Sequence, residues 1–219
     1  MAPISMPRLP PQWLTAQSGR LTHLVYGFTG RKLGPGDQLA LAALNRACAM
    51  AEGFYSLVNH GNFICAAPVV RLQLDNGLRV FGLLMTNDPH STARTILSGG
   101  KLHSQKGRNG QRLTDASVAQ QLDTILPGLH VKAFYGELSG YIHLSEEAWF
   151  RTWQNPDVIE PGARADVRIG DPGAFVSNEE WSNLEARFQH STDIFTGVIK
   201  GWCAFWNRGL PPDSGTAVA

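Results

Sequence analysis

Residues 62–86, NFICAAPVVRLQLDNGLRVFGLLMT, restrict the fold of this chain more than any other segment, because they are apolar almost all the way round a helical wheel. A helix without a polar face has to be central, with neighbours on several sides. A membrane span is the other home for such a segment, but Arg71, Asp75 and Arg79 would be expensive in the middle of a bilayer. The segment therefore reads as a buried helix of a soluble protein, and its polar residues become the ones to question. Arg71 and Asp75 are four apart and face the same way as Ile64, Pro68 and Leu78. They suit either a buried ion pair that fixes helix register or an arginine that holds a substrate phosphate while the carboxylate orients it. Pro68 is tolerable near the first turn and otherwise implies a kink.

The surrounding pattern is helical too. Leu14, Leu21, Leu24, Val25 and Phe28 recur at helical spacing over residues 12–28. Asp37 reads as the N-cap of a second helix, whose stripe is Ala40, Leu44, Ala47, Cys48, Ala51, Phe54, Tyr55 and Val58. Shorter helices are expected at 91–97, from a Thr114 or Asp115 cap to about 125, at 131–143 and at 146–153. Over 163–177 the pattern changes: Ala165 to Ile169 alternates with period two, Gly170-Asp171-Pro172-Gly173 is a turn sequence, and 174–176 can return, which predicts a small two-stranded hairpin. A long helix over 178–207 follows, with Trp181, Leu184, Phe188, Phe195, Ile199, Trp202 and Trp206 on one broad stripe. The predicted class is mainly α, a helical bundle with a small β-hairpin before a long C-terminal helix. With 219 residues and 43% of them hydrophobic, the chain can bury one core. The expected domain is 12–207, flanked by flexible tails at 1–11 and 208–219.

Charge and cysteine usage exclude more than they indicate. A formal net charge of +1 supplies no long-range field for nucleic acid or an anionic membrane. Cys48, Cys65 and Cys203 lie far apart in apolar patterns, so they read as buried thiols in a reducing compartment. Prolines at the N-terminus stand where an export signal would need its apolar stretch, and the expected location is the cytoplasm. His23, His60, His90, His103, His130 and His190 are scattered without ligand spacing, so neither a metal nor another cofactor is expected.

Residues 133–145, AFYGELSGYIHLS, place aromatic, hydroxyl and imidazole groups on an otherwise core-like helix. Tyr135, Leu138, Ser139 and Ile142 share a face, with His143 at its edge. His143 suits a general acid or base, with Tyr141 or Ser139 assisting and Arg71 holding a phosphate; the plainer reading is a histidine that caps a helix end. Asp75 and Tyr135 would line a ligand pocket where the two polar helices meet. The loop at 101–112, KLHSQKGRNGQR, brings Lys101, His103, Lys106, Arg108 and Arg112 together, a patch able to contact a nucleic-acid backbone. No aromatic residue interleaves with these charges, so base stacking on this loop is not expected. Trp202 and Trp206 belong to the core stripe first, with an interface as the alternative use.

Three elements occur together: Pro68-x-x-Arg71-x-x-x-Asp75, Gly110-Gln111-Arg112-Leu113-Thr114-Asp115, and Tyr135-x-x-x-Ser139-Gly140-Tyr141-Ile142-His143-x-Ser145. Over residues 63–145 the chain resembles a group of bacterial helical proteins with a Ser-x-Tyr-Ile-His-x-Ser signature, and more distantly the HEPN-like bundles. That resemblance implies either a ribonuclease or a non-catalytic partner in bacterial toxin and phage-defence systems. The catalytic HEPN pattern sets an arginine four to six residues before a histidine, and no arginine here has that spacing. The expected function is accordingly a non-enzymatic helical interaction module, an accessory subunit of a defence or toxin system working with a protein partner or as a homo-oligomer. The alternatives are a metal-independent ribonuclease using His143 and Arg71, and a small-ligand-binding helical protein.

Overall fold

The computed structural model describes residues 9–142, 170–171 and 173–207. Seven α-helices lie among them: α1 (Pro11–His23), α2 (Pro35–Asn59), α3 (Phe63–Leu84), α4 (Pro89–Leu97), α5 (Asp115–Ile125), α6 (Val131–Ser139) and α7 (Asn178–Asn207). Short 3-10 turns occupy Leu24–Phe28, Leu102–Ser104 and Pro127–Leu129.

Most of the helix starts follow from local chemistry. Proline opens α1, α2 and α4, where its missing N–H removes no helical bond. The side chains of Asn62, Asp88 and Thr114 cap α3, α4 and α5 by accepting from the N–H of Cys65, Ser91 and Ser117. Ser177 and Glu180 close a reciprocal capping box at the start of α7, with N···O distances of 2.7 and 3.2 Å. Asp37 is not an N-cap as expected. Gly34 takes that place, and Asp37 sits one turn inside, where its Oδ2 accepts from the Gly34 N–H at 2.9 Å.

As its pattern requires, α3 is central: it packs most extensively on α7 and α2 and also against α5, α6 and α4. The crossing with α7 is close, since a Cβ on Gly77 would stand 3.3 Å from the Cα of Phe195. Phe54 of α2 stacks on Phe188 of α7 at 4.3 Å between centroids, and Trp13 of α1 tilts against both at 5.7 Å. These rings are largely or wholly buried and anchor the aromatic centre of the bundle. At about 1.5 Å per residue α7, 30 residues long, runs some 45 Å.

Four expectations need correction. No β-strand occurs among the described residues, so the hairpin is withdrawn from the fold. Its return arm, 174–176, is a turn in which the N–H groups of Ala174 and Val176 donate to Asp171 and Gly173, and the Ser177 capping box then starts α7. The outgoing arm, 165–169, and the helix expected at 146–153 lie outside the described residues. The first helix ends at His23 and tightens into a 3-10 turn, which leaves Val25 43% exposed. The helix expected over 131–143 stops at Ser139, with Gly140 following and a turn at Tyr141 and Ile142. Finally, Cys203 is buried, but Cys48 is half-buried and Cys65 exposed. Among the described residues no helix is long and apolar enough to cross a membrane.

Candidate functional site

The fold unites four of the residues singled out from sequence, drawn from two helices 64–68 positions apart. Arg71 of α3 donates from Nε to Asp75 Oδ1 at 3.0 Å, one turn along the same helix. Its Nη1 donates to Ser139 Oγ of α6 at 2.9 Å and reaches the Tyr135 carbonyl at 3.5 Å. The Ser139 hydroxyl donates in turn to the Tyr135 carbonyl at 2.9 Å, so its lone pairs are the part that meets Arg71. The guanidinium carbon lies 3.6 Å from the centroid of the Tyr135 ring.

This cluster is inside the protein: Arg71 is 5% and Asp75 8% exposed. Burial pushes the Asp75 carboxyl above its ordinary range, and the nearby Asp115 adds to that, while Arg71 and Arg79 pull the other way. The guanidinium is thus held by a carboxylate, a hydroxyl and a ring face, which makes it a clamp between α3 and α6. That is the ion-pair version of the sequence reading, extended to a second helix. Guanidinium and ring are in contact, so no ligand space separates Arg71 from Tyr135.

The other candidates are dispersed. Tyr141 points to α7, where its hydroxyl accepts from Arg187 Nη1 at 3.2 Å, and Arg187 also pairs with Glu137 at 3.3 Å. His143 lies outside the described residues. In the basic loop, Arg108 turns inward: Nε and Nη2 donate to the Thr86 and Leu84 carbonyls, each at 3.0 Å, closing the C-terminal end of α3. Lys106 and Arg112 face solvent across a single antiparallel bridge. Trp202 and Trp206 are also internal fittings. Trp202 donates from Nε1 to the fully buried Asp37 at 2.8 Å, and Trp206 stacks on His90 at 4.2 Å. Among the described residues no three of His, Cys, Asp or Glu group closely enough to hold a metal ion.

A second site had no counterpart in the sequence reading. A groove of about 490 Å³ opens between α2, α3, α4 and the turn at Leu102–Ser104. Leu39, Ala43, Val80, Leu83 and Ile96 give it an apolar floor. Arg46, Arg79, Lys101 and His103 stand on its rim, all exposed, and no acidic side chain is among the described lining residues. Arg79 has a carboxylate near it, Asp115, but at 4.0 Å. Arg46 donates from Nη1 to Asn76 Oδ1 at 2.9 Å. A concave apolar surface with a few convergent polar groups is the usual form of a small-molecule site.

The signal that could have located this groove was present in α3. Gln73 and Asn76 are uncharged amides three apart in a helix that is otherwise apolar on that side, and both are buried, at 0% and 2% exposure. Arg46 carried no signal, because it reads as one more solvated residue on the outer face of α2. No protein-family model, curated protein or solved structure matches this chain.

Proposed function

We propose that this chain is a helical binding module whose working surface is the groove between α2, α3 and α4, with a small ligand as its occupant. One observation carries the reading: the groove joins an apolar floor to a cationic rim and offers about 490 Å³, within the range that small-molecule sites occupy. The Arg71 cluster supports this division of labour, since its Nε is engaged by Asp75 on α3 and its Nη1 by Ser139 and Tyr135 on α6, bonds that hold the bundle that shapes the groove. The test uses octanol as a plain apolar probe, followed by NMR shifts of the wild type and of Ala43→Trp, which fills the groove from α2. Octanol is expected to shift groove resonances in the wild type and not in the variant, at unchanged melting temperature. Equal binding by both proteins would refute the reading.

A metal-independent ribonuclease is the second reading, favoured by the convergence of Arg71, Asp75, Tyr135 and Ser139 and by the raised Asp75 carboxyl. In it Arg71 would hold the phosphate and His143 would move the proton, with Ser139 or Tyr141 assisting. RNA cleavage by purified protein that persists in both Arg71→Lys and Ser139→Ala removes this reading; loss in both, with the fold intact, favours it over the groove.

A further inference from the structure

We infer that the groove's ligand carries an anionic end, and that Arg46 receives it, aimed by a buried hydrogen-bond relay that begins on α7. The inference rests on the binding reading above and names the ligand class. Its basis is a chain of donors and acceptors in which each assignment dictates the next. The Thr192 hydroxyl donates to the Phe188 carbonyl at 3.0 Å, so toward α3 it presents a lone pair. Gln73 Nε2 donates to that lone pair at 3.2 Å, which turns Gln73 Oε1 toward Asn76. Asn76 Nδ2 donates to Oε1 at 3.3 Å, and this leaves Asn76 Oδ1 as the acceptor for Arg46 at 2.9 Å. Reversing Asn76 would set an NH₂ group against a guanidinium and a carbonyl against a carbonyl.

Gln73 and Thr192 are fully buried and Asn76 nearly so, and polar groups in such places are costly unless each is paired. An all-apolar interior at these positions would hold the helices together as well, so the relay has a use at its outer end. There it holds a long side chain that would otherwise sample solvent, and a preorganised arginine loses less freedom when an anion arrives. A guanidinium has five N–H donors and Asn76 engages one of them. Arg79 and Lys101 add positive charge to the same rim, while the floor suits an apolar body. The ligand class is therefore a small molecule with an apolar body and a carboxylate, phosphate or sulfonate end. Thr192 acts only through Arg46 and is a positioning residue.

Octanoate and octanol, which share a tail and differ in head group, separate these claims in calorimetric titrations of the whole chain. The wild type is expected to bind octanoate roughly tenfold more tightly than octanol, the yield of one charge-assisted hydrogen bond. Arg46→Gln should lower that ratio severalfold, the remainder coming from Arg79 and Lys101. Thr192→Val should lower the ratio about threefold to tenfold although it lies in the core, and Thr192→Ser should restore it. An unchanged melting temperature and amide NMR spectrum show that each variant is folded. Equal binding of the two probes by the wild type would overturn the anionic end and leave the groove reading standing; binding of neither would overturn both. A ratio unchanged in Thr192→Val would overturn the relay.

Discussion

Replacing Arg71 by methionine tests the clamp between α3 and α6, and the predicted loss depends on pH. The substitution keeps much of the apolar stem and removes the guanidinium from Asp75, Ser139 and the Tyr135 ring. Both partners of the ion pair are nearly buried, with side-chain exposures of 6% and 12%. Removing one member of such a pair costs about 3–5 kcal/mol, because the other charge is left without compensation. Asp75 has a way out, since burial already favours its protonated form. In the wild type the folded state holds that proton more tightly than the unfolded chain does. The contribution of Asp75 to stability is therefore fully present below its unfolded pKa of about 3.9 and declines as pH rises through its higher folded value. Without Arg71 the folded value moves further up, and the decline extends to higher pH. Urea unfolding should show the full loss of about 3–5 kcal/mol at pH 8 and a clearly smaller one at pH 5. Adding Asp75→Asn, which keeps an oxygen but not the charge, should recover most of the loss at pH 8. A loss below about 1 kcal/mol at pH 8, the yield of an exposed pair, or no recovery in the double variant, would refute the clamp.

Other expectations concern the remaining polar fittings. Asp37→Ala should lower stability by about 3 kcal/mol in denaturant melts, because it removes a helix-start bond and strands the buried Trp202 N–H. Arg108→Ala should cost about 1–2 kcal/mol by uncapping α3, whereas Lys106→Ala and Arg112→Ala should stay within about 0.5 kcal/mol; equal losses would contradict the inward role of Arg108. Thiol labelling should modify Cys65 fast, Cys48 slowly and Cys203 only on unfolding, since burial pushes the Cys48 and Cys203 thiols up and Cys65 is exposed. Labelling of Cys203 at the rate of Cys65 in the native protein would refute that order.

Periodicity located the helices because each one buries a stripe against neighbours, and the stripe is written in consecutive residues. The expected spans 62–86 and 178–207 match α3 and α7 closely for that reason. The sequence allowed Arg71 and Ser139 to be placed together as one candidate site, since each is costly if left alone in a core, but the contact itself depends on which face of α6 meets α3. Helix ends were read less well. Asp37 looks like an N-cap until one sees that Gly34-Pro35 starts the helix and that the carboxylate bonds back to it. The return arm of the expected hairpin failed on the same scale of distance, where two turn bonds and a capping box decide the path of residues 174–177. The groove left one trace in the sequence, the paired amides Gln73 and Asn76 of α3, but its full lining comes from stretches near 39–46, 76–83, 96 and 100–103, and nothing in one stretch marks the others.

The two polar sets on α3 point in different directions, and that difference assigns them different work. With about 100° between successive residues, Arg71 and Asp75 fall on one side of the helix, while Gln73, Asn76 and Val80 fall well round toward the other. The first pair meets α6; Gln73 and Asn76 link α7 to Arg46 on α2. Arg79 lies between the two directions, paired loosely with Asp115 of α5 and standing on the groove rim. Close packing, as at Gly77 against Phe195, already resists rotation of this central helix. Two hydrogen-bonded sets on well-separated sides forbid that rotation, because easing one would break the other. The groove lies against this helix, so the register fixed by Arg71 on one side is what keeps Asn76 aligned with Arg46 on the other. Loosening the clamp, as in Ser139→Ala, should therefore weaken octanoate binding more than octanol binding, and equal weakening of the two would mean that the clamp sets stability alone.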